Sequence, residues 1–132
     1  MAGYSATPLV RKLGIAAGQR VLVDGSPSFE VPWPPGVTVH RRVQRGTGYD
    51  VVLCFCPDLK RLVSRWPVLH PSTTAAGALW VMWPKRSSGV ATDLNENTIR
   101  DFVLANGRVD VKVCAVDDVW SALKNVIRAA DR

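Results

Sequence analysis

Ala78-Leu79-Trp80-Val81-Met82-Trp83-Pro84-Lys85-Arg86-Ser87-Ser88-Gly89-Val90-Ala91-Thr92-Asp93-Leu94-Asn95-Glu96 is the stretch on which the reading of this chain turns. Its apolar run suits a strand covered on both faces, and Pro84 stops it. A basic, hydroxyl-rich loop follows, and Asp93-Leu94-Asn95-Glu96 has the D-x-x-E form of a capping box that opens a helix. In open α/β sheets, ligands sit where parallel strands end and helices begin. Lys85, Arg86, Ser87 and Ser88 are therefore candidate anion-binding groups. The plainer alternative is a solvated loop whose hydroxyls cap the turn, and both readings stay open. Thr92 and Asp93 read more simply as helix caps.

Upstream, residues 5–13 read as a short helix with Pro8 in its first turn. Arg20-Val21-Leu22-Val23-Asp24 is a short apolar strand turned by Gly25-Ser26-Pro27. Pro27, Pro32, Pro34 and Pro35 leave no room for a helix across residues 26–36. Residues 37–41 alternate as a second strand, and residues 49–56 form a near-continuous apolar third. Pro57-Asp58 opens a helix with Leu59, Leu62, Val63 and Trp66 on one face, and Pro67 disturbs its end. Downstream, the capped helix places Ile99, Phe102, Val103 and Asn106 on one side and ends at Gly107. Residues 109–116 alternate as a strand, while residues 119–130 fit either a helix or a returning strand. The order predicts one α/β domain over residues 1–132, with about six strands, the central ones parallel, and right-handed crossovers.

The totals exclude several classes. No apolar run reaches the roughly 18 residues of a membrane span. The opening residues lack a secretion signal, and Ala2 stands where myristoylation needs glycine. Cys54, Cys56 and Cys114 match no zinc spacing and read as small buried residues in a reducing cytoplasm. The net charge is +6, but residues 1–86 hold 11 Lys+Arg against 4 Asp+Glu while residues 87–132 hold 6 against 7. The excess, in Arg41, Arg42, Arg45, Lys60, Arg61, Arg65, Lys85 and Arg86, is scattered in pairs. It predicts a solvated basic surface and only weak, non-specific nucleic-acid binding.

No catalytic constellation emerges. Asp24 and Asp50 are the acids near strand edges, and a structural role for both is the simpler reading. His40 and His70 stand alone and predict no metal site. Ser64 and Ser121 have no base partner. Core packing is the plainer reading of the five tryptophans, and Trp66 and Trp80 fit it; for Trp33 and Trp83, each beside proline, an exposed aromatic surface for a partner is the alternative.

The assembled segments resemble the class I methyltransferase variant of the Rossmann fold. Gly18-Gln19-Arg20-Val21-Leu22-Val23-Asp24-Gly25 resembles its first strand and cofactor loop, Tyr49-Asp50-Val51-Val52-Leu53-Cys54 its fourth strand and Gly77-Ala78-Leu79-Trp80-Val81 its fifth. The chain as a whole resembles the small bacterial proteins grouped as domain of unknown function 3052. The matching stretches are Gly3-Tyr4-Ser5-Ala6-Thr7-Pro8-Leu9, residues 83–94 and residues 109–121. The resemblance implies a Rossmann-like, truncated three-layer sandwich with a mostly parallel sheet and antiparallel C-terminal strands.

Two features depart from the methyltransferase pattern. The loop Asp24-Gly25-Ser26-Pro27-Ser28-Phe29-Glu30 has one glycine where several let the backbone approach the cofactor. His40-Arg41-Arg42 stands where the ribose-binding acid is expected. Only 26 residues lie between Asp24 and Val51, too few for two strand–helix units. These departures disfavour S-adenosylmethionine and any other cofactor. The expectation is a domain that binds an anionic small molecule or a protein partner, with methyltransferase activity as the alternative. Its site is placed where Lys85, Arg86, Ser87 and Ser88 meet Gly25, Ser26 and the Tyr4, Ser5 and Thr7 segment.

Overall fold

The computed structural model describes residues 8–27 and 29–132. Tyr4, Ser5 and Thr7, assigned to the site from sequence, lie outside the described residues. The elements run α1 (Leu9–Lys12), β1 (Arg20–Asp24), β2 (Thr38–His40), β3 (Tyr49–Phe55), α2 (Leu59–Leu69), β4 (Thr73–Pro84), α3 (Glu96–Ala105), β5 (Arg108–Ala115) and β6 (Trp120–Ile127). Six strands form one sheet in the order β2-β1-β3-β4-β6-β5. The pairs β1–β2, β1–β3 and β3–β4 are parallel, and β6 runs antiparallel to both β4 and β5.

Alternation along the strands sends side chains to two apolar layers. On one face, Leu22, Val52, Cys54, Leu79 and Leu123 pack under Leu62, Trp66 and Leu69 of α2 and Ile99 and Val103 of α3. Trp66 meets Phe102 edge-on at 5.1 Å, joining the two helices. On the other face, Val21, Val23, Val51, Leu53, Trp80 and Met82 are covered by Leu13 and Ile15 and by Phe29 and Trp33 of the proline-rich segment. That segment takes the place of a crossover helix. The buried Trp80 donates its ring N–H to the carbonyl of Leu13 (3.0 Å), which ties the end of α1 to the middle of the sheet.

Several expectations are corrected. Residues 119–130, which fit either a helix or a returning strand, take the strand form, with β6 over residues 120–127. The cause is the preceding turn, where Asp117 Oδ1 accepts from the backbone N–H of Val119 (2.9 Å) and Trp120 (2.8 Å) and closes a hairpin. The helix after the decisive stretch starts later than the capping box implied: Asn95 is its N-cap, accepting from Thr98 N at 2.9 Å. Asp93 instead accepts from Leu59 N (2.8 Å) and binds the loop to the start of α2. Val63 is 51% exposed rather than part of the buried stripe. Pro67 lies inside the last turn of α2 without ending it there. Asn106 caps α3 on its exposed side, donating to Phe102 O at 2.7 Å. Trp83 is buried, so it forms no exposed aromatic surface, and Trp33 is half-buried against the core. β4 begins four residues earlier than expected and accommodates extra residues opposite Tyr49. Gly77 makes this possible, because a Cβ there would stand 2.7 Å from the Tyr49 carbonyl oxygen.

Candidate functional site at the carboxyl edge of the sheet

β1 lies between β2 and β3, and the two connections leave on opposite faces. The β1–β2 segment covers one face through Phe29 and Trp33, and α2, between β3 and β4, covers the other. The carboxyl ends of β1 and β3 therefore flank a topological switch point, the crevice where open α/β sheets bind ligands.

A cavity of about 740 Å³ opens there, lined by Gly25, Ser26, Phe29, Glu30, Trp33 and Arg41 over a floor of Val23, Leu53 and Phe55. Phe29 meets Phe55 edge-on at 5.8 Å, and Trp120 meets Phe55 from elsewhere at 5.1 Å. Gly25 is required twice over: its φ is +97°, and a Cβ would lie 3.0 Å from both Cβ and the carbonyl oxygen of Phe55. Of the residues expected here, Gly25 and Ser26 line the cavity. Arg41, Glu30, Phe29 and Trp33 were not among them. The signal for them was the run of prolines, which lays an extended segment rather than a helix across this edge.

Asp24, at the same strand end, faces away from this cavity. Its side chain is 8% exposed and is held by two arginines of α2. Arg65 Nε is 3.2 Å from each carboxylate oxygen and its Nη2 is 2.8 Å from Oδ1. Arg61 Nη2 is 3.2 Å from Oδ2. Two cations of the expected basic surface are thus ion-paired to Asp24 while remaining partly exposed. Cys54 Sγ lies 3.9 Å from Asp24 Oδ2 and 3.2 Å from Cys56 Sγ. The hydrogen bond with Cys56 and then burial push the Cys54 thiol well above its ordinary pKa, which keeps it protonated and a poor nucleophile. Asp50 is structural, accepting from Arg20 N at 2.9 Å.

The decisive loop builds a second hollow of about 660 Å³ beside Trp83, Arg86, Gly89, Thr92, Asp93 and Asn95. The hydroxyls of Ser88 and Thr92 are engaged within it. Ser88 Oγ donates to Lys85 O (2.6 Å) and accepts from Val90 N (3.1 Å). Thr92 Oγ1 donates to Pro57 O (2.8 Å) and accepts from Leu94 N (3.1 Å). Lys85 N donates to Val119 O at 2.7 Å. Lys85, Ser87 and Ser88 line neither cavity, and Arg86 lines only the second. Gly25 and Ser26 thus line a different hollow from Arg86.

The histidines have other duties. His40 Nδ1 and the buried Tyr49 hydroxyl share a hydrogen bond of 2.6 Å. His70 stacks on Trp66 at 5.4 Å and accepts from Arg108 Nε through Nδ1 at 2.9 Å. Among the described residues, no group of three or more His, Cys, Asp or Glu stands together to hold a metal ion. No helix among them is long and apolar enough to cross a membrane.

No family model and no curated protein matches the chain. Among solved structures, the chain is similar to LepI, described in complex with SAM, at 11% identity and a TM-score of 0.52, covering 91% of this chain and 39% of that one. It is also similar to TrmN from Thermus thermophilus at 12% identity and a TM-score of 0.48, covering 90% and 46% respectively. The chain spans less than half the length of either. At such identity the LepI likeness speaks for the fold alone. With the strand order, it identifies a Rossmann-like α/β fold of the methyltransferase type.

Proposed function

We propose that this is a methyltransferase-like domain that binds without methylating, and that its ligand is an anion held in the crevice between β1 and β3. The observation that carries the reading is the placement of charge at that crevice. Arg41 lines the cavity together with Glu30, while Asp24 is turned to the opposite face and paired with Arg61 and Arg65. Arginine offers planar paired donors that suit carboxylate and phosphate groups. The loop of Lys85, Arg86, Ser87 and Ser88 is the surface by which a protein partner would be recognised. The reading extends to membership of the domain of unknown function 3052 family, on the motifs quoted above. It extends to a cytoplasmic, bacterial setting, in keeping with three free thiols. Nucleic acid binds only weakly and without sequence preference.

The second reading is an S-adenosylmethionine-dependent methyltransferase. It is favoured by the likeness to LepI, whose structure is of a complex with SAM. Against it stand the single glycine after β1, the arginine after β2 and the proline-rich segment where a helix would direct its positive end at the ligand.

Benzoate and inorganic phosphate, titrated into the isotopically labelled chain, test the anion site. Saturable amide shifts at Gly25, Ser26 and Arg41 that vanish in Arg41→Ala are expected. No saturable shift with either anion, or shifts confined to the far end of the sheet, would overturn it.

A further inference from the structure

We infer that the ligand of this crevice is a small aromatic monocarboxylate, and that Glu30 selects it against phosphates. This rests on the reading of the crevice as an anion site and specifies its chemistry. Arg41 and Glu30 line the same cavity. Neither forms a hydrogen bond or ion pair with the other or with any further described residue. Both are exposed residues of the cavity lining, so both charges stand beside whatever occupies it.

Three features bear on that occupant. The first is shape. A concave space of about 740 Å³ is the size of a small-molecule site rather than a macromolecular groove. The half-buried rings of Phe29 and Trp33, over a floor that includes Phe55, give one part of its lining aromatic surface suited to a planar body. The second is charge. Arg41 compensates one negative charge, and a second on the same ligand meets Glu30 with nothing to offset it. The third is the absence of a phosphate cradle. The chain leaving Gly25 runs through Pro27, Pro32, Pro34 and Pro35 with no helix before β2. Stacked N–H groups of a helix start, the usual complement of a phosphate dianion, are not offered there. One guanidinium paired with one carboxylate needs no such cradle.

The test is calorimetric titration of the native chain, Glu30→Gln and Arg41→Gln with 3-phenylpropionate and phenyl phosphate, two probes of matched body and unequal charge. Both substitutions are at exposed residues, and thermal melts confirm that each variant is folded. On the native chain, 3-phenylpropionate is expected to bind at least about tenfold tighter than phenyl phosphate at about pH 8, where the phosphate is a dianion. Glu30→Gln should tighten phenyl phosphate and bring the two within about twofold, whereas Arg41→Gln should weaken both about tenfold or more. Phenyl phosphate binding as tightly as 3-phenylpropionate to the native chain, or a ratio that Glu30→Gln does not move, overturns the inference. If both anions bind equally through Arg41, the anion site stands and the role of Glu30 falls. If neither binds the native chain, both fall.

Discussion

Arg65 grips Asp24 with one edge of its guanidinium, Nη2 at 2.8 Å from Oδ1 and Nε at 3.2 Å from both oxygens. The pair joins the carboxyl end of β1 to the second turn of α2, across 41 residues of chain. It holds the carboxylate that ends β1 on the face of the sheet opposite the cavity.

Removing a member of this cluster should cost stability in proportion to how buried it is. Arg65 is 28% exposed and Arg61 39%, against 8% for Asp24. Breaking a fully buried pair costs about 3–5 kcal/mol, and exposed pairs contribute about 0–1. Arg65→Ala and Asp24→Asn should each lose about 2 kcal/mol, whereas Arg61→Ala should lose about 0.5. Urea unfolding of the three variants checks the order. Equal losses for the two arginines would mean that bidentate geometry contributes nothing.

Stability should fall in mild acid because of His70. Burial, and then the charge of Arg108, lower its pKa from the usual value. Its Nδ1 must stay unprotonated to accept from the fully buried Arg108 Nε. The folded state thus binds this proton less readily than the unfolded chain does. The stabilisation is complete above the unfolded value of about 6.5 and is lost as pH falls below it. The melting temperature should be lower at about pH 5 than at about pH 7.5, and His70→Asn should flatten part of that slope. An unchanged slope in His70→Asn would assign the acid sensitivity to other groups.

Much of the architecture was legible because its causes are local. β1 could be read from Arg20–Asp24 and α2 from Asp58, whose carboxylate does cap Arg61 N at 2.9 Å. The last strand was ambiguous because Val119, Leu123, Val126 and Ile127 fit a helical period as well as a strand. A side-chain turn at Asp117 decides it, and periodicity does not register such a turn. At the candidate site, Gly25 and Ser26 could be found from the strand–turn pattern. Arg41 and Glu30 could not, since they meet only after the proline-rich segment folds across two strand ends. Asp24's partners were hidden for a similar reason, lying 37 and 41 residues away on another element.

Gly25→Ala should be disruptive although it adds one methyl group. The backbone is in the left-handed region and the new Cβ would press on Phe55 Cβ and its carbonyl oxygen at 3.0 Å. A loss of more than about 1 kcal/mol is expected, together with weakened anion binding, because the cavity wall must shift. Thermal melts and benzoate titration check the two effects. A stable variant with native binding would show that the β1–β3 junction yields easily.

The loop after β4 should separate binding from folding. Arg86→Ala and Ser87→Ala alter exposed side chains and should each change stability by under about 0.5 kcal/mol. Ser88→Ala breaks two hydrogen bonds within the loop and should cost about 1 kcal/mol. Chemical denaturation distinguishes these values. A large loss from Arg86→Ala would make the loop a structural element rather than a rim for a partner.

The central claim, that the fold of a methyltransferase is used here to hold an anion, is tested most directly by isothermal titration of the whole chain with S-adenosylmethionine and S-adenosylhomocysteine. The account predicts no saturable binding tighter than about 1 mM for either. Saturable binding of either in the micromolar range would contradict it and make the methyltransferase reading the first one.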